Sequence, residues 1–364
     1  FDKIIISGDD TVYEYAQGYD KFISTLVKFF PGEEKAIRTY CDKIKEICSK
    51  FPLYNLEHSD SADTKASVLE IDTKEFIDSI TTNPTLREVL AGNNGLYAGE
   101  ANKTPLYVHA LIVNSYIESS YKCVDGGAQI AKYIGRNILE LGGVVIKHAH
   151  VKQIVEEGGK VTHVVLADGT KMYASHFISN MHPALTIEMT KTDLFKKAYR
   201  NRLNAMENTI SSFTLNIVFK KNAQKYFSHN YYVCNDGDVW SSGDYSEENW
   251  PRAYAIFVAA TSRNPDYADG MTILSYMKFD EVKEWAHTYN IVGQEEDRGE
   301  AYEAFKTRKA EKLLDSVEKK FPGLRDKIEK YYTATPLSYR DYIGTTDGSL
   351  YGISKDYKDA LKTF

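Results

Sequence analysis

No stretch of this 364-residue chain runs apolar for the ~20 residues that a membrane-spanning helix needs. Cysteine is scarce. Cys41, Cys48, Cys123 and Cys234 form no Cys-x-x-Cys, and their number and spacing suit neither a disulfide scaffold nor a zinc site. All four are expected as buried thiols, with Cys41 and Cys48 facing inward from one helix. Gly-x-Ser-x-Gly, His-Glu-x-x-His and a Walker loop are missing, which removes the common signatures of serine hydrolases, zinc proteases and P-loop enzymes. Positive charge is in deficit, with a formal net charge of −6, so a large nucleic-acid footprint is excluded. Gly-x-Gly-x-x-Gly is absent as well. The chain opens at Phe1 with Ile4-Ile5-Ile6 close behind, and the simplest expectation is an excised piece of a larger enzyme. A cytoplasmic, reducing location is favoured.

What is present is ordinary soluble composition, 43% hydrophobic and 26% charged, at a length that fits about two lobes. Tyrosine is abundant at 27 residues, and tyrosines can line a wide apolar cleft while keeping their hydroxyls paired. Lys3–Ser7 and Thr11–Tyr15 around Gly8-Asp9-Asp10 predict a hairpin. Helices are predicted for Tyr19–Phe30, stopped by Pro31-Gly32, and Glu33–Cys48, with Ile37, Tyr40, Cys41, Ile44 and Cys48 on one side. Residues 56–66 read as loop. Thr73 is read as a helix cap, Pro84 as a helix opener, and Leu106–Ser119 as a helix with His109 packed on its apolar side.

A helix opens at Gly126-Gly127, with Ala128, Ala131, Ile134, Ile138 and Leu141 as its inner face, and Gly142-Gly143 stops it. Strands are predicted at Val144–Lys147, Val151–Glu156, Val161–Leu166 and Met172–Ile178, punctuated by Gly158-Gly159 and Asp168-Gly169. A second lobe follows, with strands Ser212–Phe219, Tyr231–Cys234, Ala253–Ala259 and Met271–Met277 and helices Glu281–Tyr289 and Gly299–Phe321. Such strands beside such helices predict a mixed sheet with a helical cover.

Few residues carry chemistry on their face. Gly126-Gly127 at a helix start offers free N–H groups and close approach, which suits an anion or cofactor; tight packing is the plainer reading for the pair alone. Ser179-Asn180-Met181-His182-Pro183 follows a predicted strand end, where crevices in α/β sheets form. His182 is read as a loop-satisfying histidine ahead of a proton donor. His148 and His150 are two apart, and no carboxylate pattern supports a metal there. Thr335-Pro336 through Gly344, Gly348 and Gly352 reads as a non-regular segment under tight steric demands, with Arg340 and Asp341 as an ion pair.

These segments together resemble the phytoene-dehydrogenase-like and retinol-saturase-like FAD-dependent oxidoreductases. Phe1–Lys3 through Phe30–Glu34 resembles the segment after the first flavin-binding portion. Tyr121–Ile138 is similar to the family's Gly-Gly helix, and Gly142–Leu166 to its flavin-domain strands. Ile178–Asn180 is similar to a strand end beside them, and Thr335–Gly352 to the approach to the last flavin motif. The resemblance implies an α/β fold, α+β in the second lobe: the central part of a split FAD-binding fold interleaved with a substrate-binding lobe of mixed sheet and helices.

By that resemblance, residues 1–120 are the helical part of the substrate lobe with its N-terminal hairpin. Residues 121–184 are the central flavin-binding portion, 185–330 the sheet-bearing substrate lobe, and 331–364 a truncated return toward the flavin domain. Gly126, Gly127, Val151 and Asn180 are the implied cofactor-side positions. FAD is implied for the parent and none for this piece alone. No metal and no catalytic base are assigned. The implied partner is a hydrophobic small molecule, polyene or isoprenoid-like, whose carbon–carbon bonds a flavin would desaturate or saturate, with peripheral membrane contact in the parent. The alternatives are an amine-oxidase-like flavoprotein fragment and a non-enzymatic hydrophobic-ligand module.

Overall fold

The apolar residues of the first strand divide between two cores. Ile4 and Ile6 face one way and Ile5 the other, because successive side chains of a strand point to opposite faces. The structure, a computed structural model, describes residues 1–8, 11–58 and 67–363. β1 (Asp2–Ile6) and β2 (Tyr13–Tyr15) form the expected antiparallel hairpin; its Asp9-Asp10 turn lies outside the described residues, as does most of the 56–66 loop.

A helical layer follows. α1 (Tyr19–Phe29) buries Phe22, Ile23 and Leu26, and α2 (Glu34–Ser49) buries Ile37, Tyr40, Cys41, Ile44 and Cys48 as the spacing predicts. α3 (Thr73–Ile80) is capped by Asp72 rather than Thr73: the Asp72 carboxylate accepts from the Glu75 N–H at 2.8 Å, satisfying an otherwise orphaned donor. α4 (Pro84–Leu90) starts at its proline with Asn83 as cap, and α5 (Leu106–Glu118) runs through the centre of the layer.

α6 (Ala128–Glu140) is helical as predicted, but its expected inner face is a correction. No α6 residue is buried; Ile134 is 56% and, just past the helix, Leu141 88% exposed. Periodicity fixes an apolar stripe, not what covers it. The predicted strand at 144–147 is absent, and Val144, Val145 and Ile146 lie exposed without ladder partners. β3 (Val151–Glu157), β4 (Lys160–Leu166) and β5 (Lys171–Tyr173) form a three-stranded meander whose Gly158-Gly159 turn has positive φ at both glycines. β5 stops at Tyr173 instead of reaching Ile178, since β4 provides partners only for residues 171–173. α7 (Pro183–Met189) and α8 (Lys197–Asn204) lead back from the meander.

The second lobe holds β6 (Ser211–Phe219), β7 (Asn230–Cys234), β8 (Ala253–Val258), β9 (Gly270–Met277), α9 (Gly299–Glu318), β10 (Ile328–Ala334) and α10 (Pro336–Ile343). With the hairpin they build one mixed seven-stranded sheet, ordered β10-β6-β9-β8-β7-β1-β2. β1 runs parallel to β7, and the other pairs are antiparallel. One face packs α9 through Phe213, Leu215, Ile256 and Ile273. The other face, with Ile4, Tyr232 and Ala255, meets the helical layer. Two expectations shift here. Residues 279–285 are a 3-10 helix rather than a helix to Tyr289, and 336–343 is a regular helix, because Thr335 and Ser338 form a capping box around Pro336. Mixed α/β architecture with a sheet lobe and helical cover is what the structure shows.

Candidate functional site

The sheet face toward the helical layer carries an apolar space of ligand size. Register places Ile4, Tyr232, Ala255 and Leu274 in a row across β1, β7, β8 and β9. Small Ala255 between larger neighbours leaves room above it. An apolar cleft of about 590 Å³, its open mouth included, lies there, walled by Ile6, Leu96, Tyr232, Phe257, Leu274, Tyr276 and Tyr351. No charged residue lines it. A second cavity of about 600 Å³ adjoins it and shares Leu96 and Tyr351; Val108, Ile112 and Ile353 form its apolar wall, and Thr104, Thr209, Ser354 and Lys355 its polar one. Such space, largely apolar with few polar groups, is the usual form of a small-molecule site.

The walls are held by paired hydroxyls. Tyr276 and Tyr351 both donate to the Gly95 carbonyl. Burial pushes the Tyr351 hydroxyl up to about 12 and keeps Tyr276 and Tyr232 well above the ordinary tyrosine value, so all three are neutral hydrogen-bonding groups. Burial also lowers the Lys355 ammonium below the usual lysine value. Beneath the cleft, His109 is fully buried. Its Nδ1 meets the Tyr97 hydroxyl and its Nε2 the Tyr40 hydroxyl, each at 2.7 Å, and burial lowers it to about 3. Tyr40 donates onward to the Leu90 carbonyl, which assigns the Nε2 proton to His109 and makes Nδ1 the acceptor from Tyr97. The packed reading of His109 holds. Nearby on β1, buried Asp2 is pushed up to about 6 by burial, against a stabilising 3.0 Å bond from Asn230. Its Oδ2 and both polar atoms of buried Asn93 lack a hydrogen-bond partner among the described residues.

The positions singled out in the sequence lie elsewhere. Gly126 takes φ 92° at the start of α6, where neither it nor Gly127 would bring a Cβ within 4 Å of a neighbour. Gly126 borders a shallow groove with Asp125 and residues 259–263; Asp125 anchors that turn by accepting from the Ser262 N–H at 2.8 Å and hydroxyl at 2.6 Å. Val151 begins β3 and pairs with Leu166, and Asn180 is exposed in the loop before α7. Neither lines the Gly126 groove or the apolar cleft. His182 caps α7: its Nδ1 accepts from the Ala184 N–H and its Nε2 donates to Asn208 Oδ1 at 2.9 Å, the structural role preferred from the sequence. His148 and His150 join no group of three metal-ligating side chains among the described residues. Cys123 corrects the cysteine expectation: it is exposed on the segment leading to α6, whereas Cys41, Cys48 and Cys234 are buried free thiols. Among the described residues no helix is long and apolar enough to cross a membrane. The aromatic walls Tyr232, Phe257, Tyr276 and Tyr351 had no individual sequence signal; alternation along β7 and β9 points to a face, not to a cleft.

No family model matches the chain. It is 24% identical to all-trans-retinol 13,14-reductase of Danio rerio, over 97% of this chain and 63% of that protein. The Rattus norvegicus protein of the same name gives 25% over 98% and 64%. Chloroplastic prolycopene isomerase of Daucus carota gives 23% over 91% and 54%. The chain spans less than two thirds of the length of these relatives. Among solved structures, putrescine oxidase bound to putrescine superposes with a TM-score of 0.57 at 11% identity, over 99% of this chain and 73% of that one. An oxidoreductase from Methanosarcina mazei gives 0.51 at 14%, over 85% and 74%. The chain therefore shares its fold with these two structures. In sequence it is similar to the retinol 13,14-reductases and prolycopene isomerases.

Proposed function

We propose that this chain is the substrate-binding lobe, together with the central flavin-binding portion, of an FAD-dependent oxidoreductase acting on carbon–carbon bonds of a hydrophobic polyene or isoprenoid-like molecule. The observation that carries the reading is the uncharged, aromatic-walled cleft on the sheet face, in a chain homologous to proteins named for retinol and prolycopene. Residues 1–120 and 185–330 form the proposed substrate lobe and 121–184 the flavin-side portion, with 331–364 returning toward it. Val151 is proposed to lie near the adenine end of the flavin and Asn180 near the cofactor, with Gly126 and Gly127 supporting the binding portion. The residues present do not themselves make a flavin cradle: both glycines face open space, and Val151 and Asn180 line neither the Gly126 groove nor the cleft. The chain alone is proposed to be inactive.

The amine-oxidase-like alternative fits the cleft less well. An ammonium ligand is stabilised by carboxylates or a desolvated aromatic cage, whereas the charged residue lining these two cavities is Lys355, of like sign. The test is to express the longer reading frame that contains this chain, record its flavin spectrum, reduce it without oxygen, and follow reoxidation by retinol and linear polyenes. Reoxidation by polyenes supports the reading. Rapid reduction of the oxidised protein by small amines transfers it to the amine-oxidase alternative. A full-length protein without flavin leaves the non-enzymatic hydrophobic-ligand module as the better account.

A further inference from the structure

We propose that Tyr351 is a specificity-determining gate: it divides one continuous slot into two chambers, and the slot takes an elongated isoprenoid alcohol whose accepted length Tyr351 sets. The proposal rests on reading the cleft as a hydrophobic-ligand site. Three observations carry it. First, Tyr351 and Leu96 line both cavities, so the Tyr351 ring is a shared wall. Second, the two chambers differ in chemistry along the slot's length. The first has no charged lining, whereas the second ends on Thr104, Thr209, Ser354 and Lys355. That order matches a long apolar body with one hydroxyl head.

Third, the Tyr351 backbone is fixed while its side chain is lightly held. The backbone is clamped on both sides. Tyr351 N–H donates to Thr209 Oγ1 at 3.0 Å, Thr209 N–H to the Gly352 carbonyl at 2.8 Å, and Ser354 N–H to the Glu207 carbonyl at 2.8 Å. The side chain itself is held by one hydroxyl bond to the Gly95 carbonyl, and the residue is 45% exposed. When the ring turns away, Gly95 keeps its bond from Tyr276. Opening therefore leaves the Gly95 carbonyl paired, and an orphaned buried acceptor is the usual cost of breaking such a contact.

The experiment is equilibrium dialysis of radiolabelled geraniol, farnesol and geranylgeraniol, each one isoprene unit longer than the last. The proteins are the unaltered chain, Tyr351→Phe and Tyr351→Leu, with thermal melts as a folding check. Shortening the wall in Tyr351→Leu is expected to raise the affinity for geranylgeraniol relative to geraniol by about tenfold or more, the scale of a changed apolar pocket wall. Tyr351→Phe keeps the ring and loses its latch, so a smaller shift in the same direction is expected. If Tyr351→Leu melts early, Tyr351→Phe alone carries the test. Equal changes for all three alcohols would overturn the gate while leaving the cleft as a ligand site. Absence of binding by every alcohol to every variant would overturn the gate and the reading of the cleft together.

Discussion

Tyr276 and Tyr351 place their hydroxyls on one carbonyl oxygen, that of Gly95, each at 3.0 Å. A carbonyl has two lone pairs and accepts both. The loop that roofs the cleft is thus tied to β9 by a buried tyrosine and to the C-terminal strap by a half-exposed one. Either Tyr276→Phe or Tyr351→Phe should cost about 0.5–1.5 kcal/mol, because the carbonyl keeps a partner. The double variant leaves the carbonyl without either donor, so its cost should exceed the sum of the single ones. A double-mutant cycle in urea measures this, and strict additivity would refute the shared-acceptor account.

His109 makes stability depend on pH. Its ordinary value is 6.5 and burial lowers it to about 3, so the folded protein keeps it neutral while the unfolded chain protonates it. Its contribution is present above 6.5 and is lost as pH falls toward about 3. At pH 4.5 the loss should be roughly 2–3 kcal/mol. Asp2 acts oppositely. Raised to about 6, its carboxyl binds a proton more tightly in the folded state, so its contribution is present below 3.8 and is lost as pH rises through about 6. His109→Phe should lower stability at pH 7 and reduce the acid-side slope, leaving the part due to His229, which burial lowers to about 4. Asp2→Asn should steepen that slope, because it removes the opposing group. Urea unfolding at steps between pH 4 and pH 7, a range read from these two groups, decides it; an unchanged slope in His109→Phe would count against the assignment.

Much of this fold is legible in the sequence. Strands β6 to β9 fall within a residue or so of their predicted bounds, because Phe213, Leu215 and Ile217 alternate with more polar neighbours and turn residues bracket the runs. The α2 face is equally clear, since Ile37, Tyr40, Cys41, Ile44 and Cys48 repeat at helical spacing. What failed depends on partners. Val144–Lys147 has strand composition, but a strand needs a neighbour to exchange hydrogen bonds. The cleft was illegible for the same reason: Phe257 and Tyr351 are far apart in sequence, and only sheet register and the strap bring them to one wall. The cofactor-side positions are proposed from resemblance alone, and of the four Gly126 borders a shallow groove that Val151 and Asn180 do not line.

Ile134, Leu141 and Ile146 are large apolar side chains left exposed within thirteen residues of chain, and exposed apolar surface drives association. The isolated chain should therefore form concentration-dependent oligomers. Ile134→Lys combined with Leu141→Lys should shift it toward monomer in light scattering after size exclusion. Stability should move by only about 0.5 kcal/mol, since neither side chain is buried. An unchanged mass distribution would place the sticky surface elsewhere.

Asp341 is buried between two arginines: Arg340 meets Oδ1, at 2.6 Å from Nη2, and Arg298 bonds Oδ2. This realises the Arg340–Asp341 pair read from the sequence and adds a partner 43 residues away. Asp341→Ala removes the anion and leaves Arg298 with an uncompensated buried charge. The expected cost is about 3–5 kcal/mol by urea unfolding. A loss below about 1 kcal/mol would match a solvent-screened surface pair instead.

Two glycines near the C-terminus have positive φ, yet they should respond very differently to alanine. Gly344 has φ 76° and ends α10, and an added Cβ would meet nothing within 4 Å. Its substitution should cost only the backbone strain, about 1–2 kcal/mol. Gly348 has φ 62°, and a Cβ there would sit 2.1 Å from the Pro336 carbonyl oxygen, a backbone atom with no rotamer to escape into. Something must move: either the start of α10, fixed by the Thr335 cap, or the strap that Gly348 joins to β6 by accepting from the Ser211 hydroxyl at 2.6 Å. Gly348→Ala should therefore cost roughly 3 kcal/mol or more. Because the same strap carries Tyr351, it should also disturb the cleft, while Gly344→Ala should not. Urea unfolding gives the first comparison, and dialysis of geranylgeraniol against geraniol gives the second. Equal costs for the two alanines would show that the close approach to Pro336 is relieved by small backbone shifts and does not fix the strap.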